Sequence, residues 1–174
     1  MKYLALLLLL AIASPAEAGL FNTVELRTAK TEAQWLEVLH KAPVPQGYGS
    51  VSLKEIGLIN KRINSVPYKS DHALYGKEDY WATPDEFFKH GGDCEDYCIA
   101  KYYALRKAGV PVEDMRIVIV RFRQAAHAIL TVRLGQETFI LDNNTNRIRK
   151  ASVFTYKPVV SMNENGRFIH INKG

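Results

Sequence analysis

The sequence predicts an α+β protein in which a run of helices precedes an antiparallel sheet. Up to Lys107, apolar residues recur at helical spacing between capping and breaking residues. From Met115 onward the pattern changes to period two and short apolar runs. Between them, Gly109-Val110-Pro111 is a strong helix stop. Helices first and strands afterwards, without a repeating βα unit, argue for α+β rather than a parallel α/β sheet.

The first segment reads as a leader. Lys2 gives a positive start, Tyr3 to Ala13 is apolar but shorter than the about 20 residues of a membrane span, and Ala16-Glu17-Ala18 has the small-x-small form of a cleavage site. Residues 1–18 are therefore expected to be a signal peptide, with residues 19–174 forming one exported domain that is not membrane-embedded after cleavage. Thr31 with Gln34 resembles a capping box opening a short helix through Trp35, Leu36 and Leu39. Pro43, Pro45, Gly47 and Gly49 break the chain. A second helix starts near Ser50 or Ser52, aligns Ile56, Ile59 and Ile63, and ends before Pro67. Tyr68 to Thr83 reads as irregular. Pro84 after Thr83 suits the first turn of a short helix. Asp93 caps the best-defined helix, which continues through Ile99, Tyr102, Tyr103, Leu105 and Arg106. Met115 to Phe122, His127 to Leu134 and Glu137 to Leu141 read as strands, with Gly135-Gln136 as a tight hairpin. A fourth strand is expected at Arg167 to Ile171, after the turn Asn163 to Gly166.

Composition narrows the function. A chain of 174 residues with 47% hydrophobic and 24% charged residues excludes a disordered tail, a collagen-like rod and a multi-span membrane protein. Its 2 cysteines exclude a disulfide-rich scaffold. The net charge of +5 is mild, and export argues against nucleic acid as the partner. Arg121, Arg123 and Arg133, alternating in strand-like stretches, read as a solvated sheet face. No P-loop or dinucleotide fingerprint is present.

Cys94 carries the strongest chemical signal. It opens a helix directly after Gly91-Gly92 and Asp93, where unpaired N–H groups and the helix dipole favour a thiolate. Cys98 lies one turn along; a disulfide across that turn would be strained, so Cys98 reads as a small buried hydrophobe. A zinc site from His90, Cys94 and Cys98 fits poorly, since the glycines interrupt the helix and a fourth ligand is lacking. His127 between two alanines is a candidate base. Asp142, at the end of the strand expected beside it, is a candidate orienting group, with Asn143 the competitor. Asp93, Glu95 and Asp96 crowd the thiol and would raise its pKa. A bound calcium ion would relieve that conflict. It takes about six to eight hard oxygen ligands, and Asp71, Asp79 or loop carbonyls could add to the set.

Taken together, Trp81-Ala82-Thr83-Pro84, Glu86-Phe87, Gly92-Asp93-Cys94-Glu95-Asp96-Tyr97 and Ile99-Ala100-Lys101-Tyr102 resemble the bacterial transglutaminase-like cysteine peptidases. The resemblance extends to Ile59-Asn60, Asn64, Pro67-Tyr68 and Asp71 upstream. Downstream it takes in Ala126-His127-Ala128, Leu141-Asp142-Asn143 and Met162-Asn163-Glu164. It implies a papain/transglutaminase-like fold with the nucleophile helix packed on the sheet, Cys94 as nucleophile, His127 as general base and acid, and Asp142 as orienter. It also implies calcium held by Asp93 and Glu95, a periplasmic location, and a protein substrate such as the surface adhesin of a biofilm. An inner-membrane receptor that senses a cyclic dinucleotide is the implied regulator. Cys98 departs from the family pattern, where alanine is expected, and the chain is compact. Two other readings stay open: a transamidase using the same acyl-thioester, and a non-catalytic calcium-dependent binding module. For the second oxyanion donor, Trp81 and Asn64 are the candidates.

Overall fold

Apolar spacing and capping chemistry divide the helical half into five pieces. The computed structural model describes residues 23–28, 33–122, 124–153 and 156–172; the expected leader, Thr31 and Arg123 lie outside them. After strand β1 (Thr23–Thr28) come α1 (Ala33–Lys41), α2 (Leu53–Ile63), α3 (Asp71–Tyr75), α4 (Pro84–His90) and α5 (Cys94–Lys107). Ser52 and Glu55 form a reciprocal capping box on α2, as Thr83 and Glu86 do on α4, with Pro84 at the first helical position. At α5, the Asp96 carboxylate reaches back to the Asp93 N–H at 3.2 Å. No helix among the described residues is long and apolar enough to cross a membrane.

The sheet half supplies β2 (Met115–Phe122), β3 (Ala125–Leu134), β4 (Glu137–Leu141), β5 (Arg149–Lys150), β6 (Lys157–Asn163) and β7 (Gly166–Asn172). These join β1 in one seven-stranded sheet of order β1-β7-β6-β2-β3-β4-β5, antiparallel throughout. Alternation splits each central strand between two cores. Met115, Ile117, Leu130 and Val132 face Trp35, Ile56, Ile99, Tyr102 and Leu105 of the helices, whereas Val118, Val120, Ile129 and Ile140 pack with Tyr156 on the other face. Sandwiched in the first core, α5 is buried on almost every side, so its apolar residues form no single stripe. Each large side chain removed from water there contributes about 1.5–3 kcal/mol.

The expected α+β order and the three strands from Met115 to Leu141 are all found. The irregular stretch is corrected: Ser70 caps a short α3 inside it, and Gly76 closes that helix at φ 63°. Strand β6 is an addition to the expected strands; it carries Pro158, and opposite it a register shift between Ile119 and Val120 accommodates the missing N–H. The edge strand β1, paired to β7, carried no turn signals to announce it.

Candidate active site

The N-terminus of α5 is built by its surroundings. Gly91 adopts φ 87°, and a Cβ there would lie 2.5 Å from the Pro67 carbonyl oxygen. A Cβ on Gly92 would lie 2.2 Å from Asp96 Oδ2. Two glycines therefore let the 67–69 segment and the Asp96 carboxylate close on the helix start, where the Lys69 N–H donates to the Gly92 carbonyl at 2.9 Å. Fully buried Asp96 accepts from the Ala82 N–H at 2.7 Å and so ties the Trp81-Ala82-Thr83 segment to the helix. Burial pushes its carboxyl up to about 7. Asp96 is thus a structural capping residue.

Cys94 and Glu95 share a cleft of about 350 Å³ with Trp81, Ile119, His127 and Met162. The thiol donates to Glu95 Oε2 at 3.1 Å. Burial raises its pKa most, the Glu95 carboxylate raises it further, and the Ala128 N–H opposes both. Glu95 is itself pushed up to about 9, by burial and then by Asp93. The charge conflict expected from the sequence is therefore present in three dimensions.

On the strands, His127 is buried and its Nε2 lies 2.9 Å from Asp142 Oδ1. A carboxylate can only accept, so Nε2 carries the proton and Nδ1 is left for the cleft. Asp142 also accepts from the Asn144 N–H at 3.0 Å and from the Tyr156 hydroxyl at 2.7 Å. Burial alone would raise its carboxyl, but the hydrogen bonds from His127, Asn144 and Tyr156 outweigh that and hold it below the usual range. The structure thus joins His127 to Asp142 directly and brings Cys94 to the same cleft, with the thiol bonded to Glu95 rather than to the imidazole. Asn143 is not the partner of His127 among the described hydrogen bonds.

Other motif residues prove to be supports. Asn64 Nδ2 donates to the Asp142 and Thr145 carbonyls, each at 3.0 Å, and Asn60 Nδ2 to those of Thr145 and Asn146. Asn60 on α2 and Asn64 at its C-cap, one turn apart, therefore fix the turn that presents Asp142. That commits the Asn64 amide away from the cleft, and the Trp81 indole N–H donates to Asp79 Oδ1 at 3.1 Å. The side-chain N–H groups of both candidate oxyanion donors thus have other acceptors. Glu164 accepts from Arg106 Nε at 2.8 Å and the Tyr102 hydroxyl at 3.0 Å, locking the β6–β7 turn onto α5. Tyr156 was missed; nothing in the spacing around it marks a residue that reaches a carboxylate two strands away.

The residues present fit a hard cation. Ligating atoms of Asp71, Asp93 and Asp96 lie within 4.8 Å of one another, as do those of Asp93, Cys94 and Glu95, and of Asp71, Asp79 and Glu95. Asp71 Oδ1 and Asp93 Oδ1 are buried without a hydrogen-bond partner. None of these groups includes His90 or Cys98.

Comparison with known proteins gives the family. The sequence model of the bacterial transglutaminase-like cysteine proteinase family (BTLCP) matches residues 29–174. The calcium-bound structure of Legionella pneumophila LapG is similar at TM-score 0.62 and 30% identity, covering 78% of this chain and 75% of that one. The EGTA-treated form of LapG gives the same TM-score and identity, with 73% of that chain covered. No curated protein sequence matches the chain. The fold is transglutaminase-like, and the chain belongs to the bacterial transglutaminase-like cysteine proteinases.

Proposed function

We propose that the protein is an exported, periplasmic cysteine endopeptidase in which Cys94, His127 and Asp142 act together. The observation that carries this reading is the buried His127–Asp142 pair, with Nε2 taken, in the cleft that Cys94 lines. Nδ1 of His127 takes the thiol proton as the Cys94 sulfur attacks a peptide carbonyl. The same imidazole then protonates the leaving amine, and water hydrolyses the thioester, returning free thiol and a new carboxyl terminus. The Cys94 backbone N–H, in the first turn of α5 where N–H groups have no intrahelical partner, supplies one oxyanion donor. Asp142 holds the ring and stabilises its charged form.

Asp93 and Glu95 would hold calcium, with Asp71 and Asp79 near enough to complete the set. Bound there, the ion supplies positive charge that offsets the carboxylates beside the thiol. The partnerless oxygens of Asp71 and Asp93 support this, as does the calcium-bound form of LapG. The family resemblance favours an envelope protein such as a surface adhesin as substrate and a membrane receptor as regulator.

The test is the pH profile of Cys94 alkylation in a Cys98→Ala background, with calcium and with chelator. Thiolate formed below the free-cysteine pKa of about 8.5, and lost in His127→Ala or with chelator, supports an activated pair. An ordinary thiol profile indifferent to both sinks the peptidase reading. Release of carboxyl termini rather than ammonia separates hydrolysis from transamidation.

A further inference from the structure

We propose that the sheet surface beside the Cys94 cleft is a substrate subsite selecting an acidic residue, read by Arg121 and Lys157. The inference deepens the peptidase reading and rests on it. Helix α5 begins at Cys94 and covers the helical face of β2 and β3 only from there toward Met115 and Val132. In the other direction the strands run on to Phe122 and Ala125. A groove of about 610 Å³ lies there, lined by Ile119, Val120, Arg121, Gln124, Ala126 and Val159. Ile119 and Ala126 also line the cleft that holds Cys94 and His127, so the two hollows adjoin. A polypeptide placed with a carbonyl at Cys94 runs into this groove in one direction.

The groove lining is mostly apolar, and Arg121 is its one charged side chain. The register pairs Arg121 of β2 with Lys157 of β6, both exposed. Directly opposed residues on neighbouring strands share a face, and like charges placed so are destabilising. Among the described residues neither cation has an ion pair or a hydrogen bond to a carboxylate. The opposite part of the path carries Asp79 and Glu95. A substrate chain therefore meets acidic groups at the cleft and two unpaired cations beyond it. The occupant this fits is an extended segment of the protein substrate whose Asp or Glu lies over the Arg121–Lys157 pair. Such a carboxylate would relieve the repulsion and fix the direction in which the chain enters. The arginine that reads from sequence as part of a solvated face thereby gains a role in specificity.

The test uses Cys94→Ala protein, which cannot turn over, and fluorescent decapeptides of alanine and glycine with one Glu, Gln or Lys walked along the chain. Anisotropy at low salt is expected to show one position at which Glu binds about tenfold more tightly than Lys. In Arg121→Glu/Lys157→Glu the order should reverse, and 0.5 M salt should flatten both, since the Debye length then falls to only a few ångströms (about 3 Å at 1 M). Binding indifferent to charge, a preference unchanged in the double variant, or no peptide bound at all overturns the subsite. The same peptides offered to the unmutated protein separate the two claims. Charge-selective binding without cleavage strikes the peptidase reading alone, and cleavage without charge preference strikes the subsite alone.

Discussion

Tyr156→Phe removes one hydroxyl and leaves the ring packed at 5.4 Å from Phe122 and 6.4 Å from His127. The lost bond is the 2.7 Å donation to Asp142 Oδ2, one of three that hold this buried carboxylate ionised. A hydrogen bond to a charged group contributes about 1.5–3 kcal/mol, and one pKa unit is about 1.4 kcal/mol. Asp142 should therefore titrate about one to two units higher in the variant. The sign follows: its folded pKa is depressed, so the ionised form is lost as pH falls through that pKa, and raising the pKa moves the loss to higher pH. Part of the change reaches the His127 imidazolium that pairs with the Cys94 thiolate. The acid limb of Cys94 alkylation, followed with iodoacetamide in the Cys98→Ala background, should move to higher pH. Thermal stability should drop by about 3–12 °C, at about 2–4 °C per kcal/mol in a domain of this size. A lower melting temperature with an unmoved pH profile would reduce Tyr156 to a packing residue. An unchanged profile together with an unchanged melting temperature would refute the clamp altogether.

Other substitutions test the scaffold. Gly92→Ala must displace Asp96 and so cost the bonds to the Ala82 and Asp93 N–H groups, a loss of about 3 kcal/mol or more by thermal denaturation. Gly76→Ala, where a Cβ meets nothing within 4 Å, should cost only the left-handed backbone, about 1–2 kcal/mol. Lys101 is fully buried with its Nζ over the Tyr97 ring and without a hydrogen-bond partner among the described residues, and burial lowers its pKa to about 8. Because the unfolded chain holds this proton up to about 10.4, stability should rise with pH between about 8 and about 10.4. Lys101→Met should flatten that rise and add about 1–3 kcal/mol at neutral pH, read from denaturant midpoints. Calcium at about 100 times its Kd should add about 2.7 kcal/mol; chelator, or Asp93→Asn with Glu95→Gln, should abolish the gain.

How much of this was legible depends on whether the signal is local. The capping chemistry of Ser52-Glu55 and Thr83-Pro84-Glu86 lies within one turn, and the sequence reading finds those helices where the structure has them. Cys94 was legible for the same reason, since a thiol after two glycines and an Asp is a local pattern. The His127–Asp142 pair needed only the hairpin at Gly135-Gln136, whose register pairs Leu134 with Glu137 and Leu130 with Leu141. By contrast, Tyr156 reaches Asp142 from beyond a further strand and a short 3-10 turn. Asn60 and Asn64 read as motif positions, but their task becomes clear only when α2 is seen beside the 142–146 turn. Strand β6 carries a proline, which weakens the local strand signal, and only the tertiary register shift opposite it makes room for the missing N–H.

The acidic cluster shows why residue types alone leave roles undivided. Asp93, Glu95 and Asp96 are alike in chemistry, and the sequence singles out only Asp93, as the residue that precedes the helix. In the fold, Asp96 is the one spent on backbone: its two oxygens take the Ala82 and Asp93 N–H groups. Glu95 faces the thiol, and Asp93 keeps a buried oxygen with no partner. A carboxylate left bare beside another is unfavourable unless protons or a cation compensate. Protonating Glu95 would offset the conflict by leaving a neutral thiol hydrogen-bonded to it, which is the arrangement seen. A divalent cation offsets the same conflict while leaving the thiol proton free to pass to His127. The two ways of balancing one charge surplus therefore correspond to a resting and an activated nucleophile, and calcium is expected to act on the thiol's ionisation more than on the shape of the cleft.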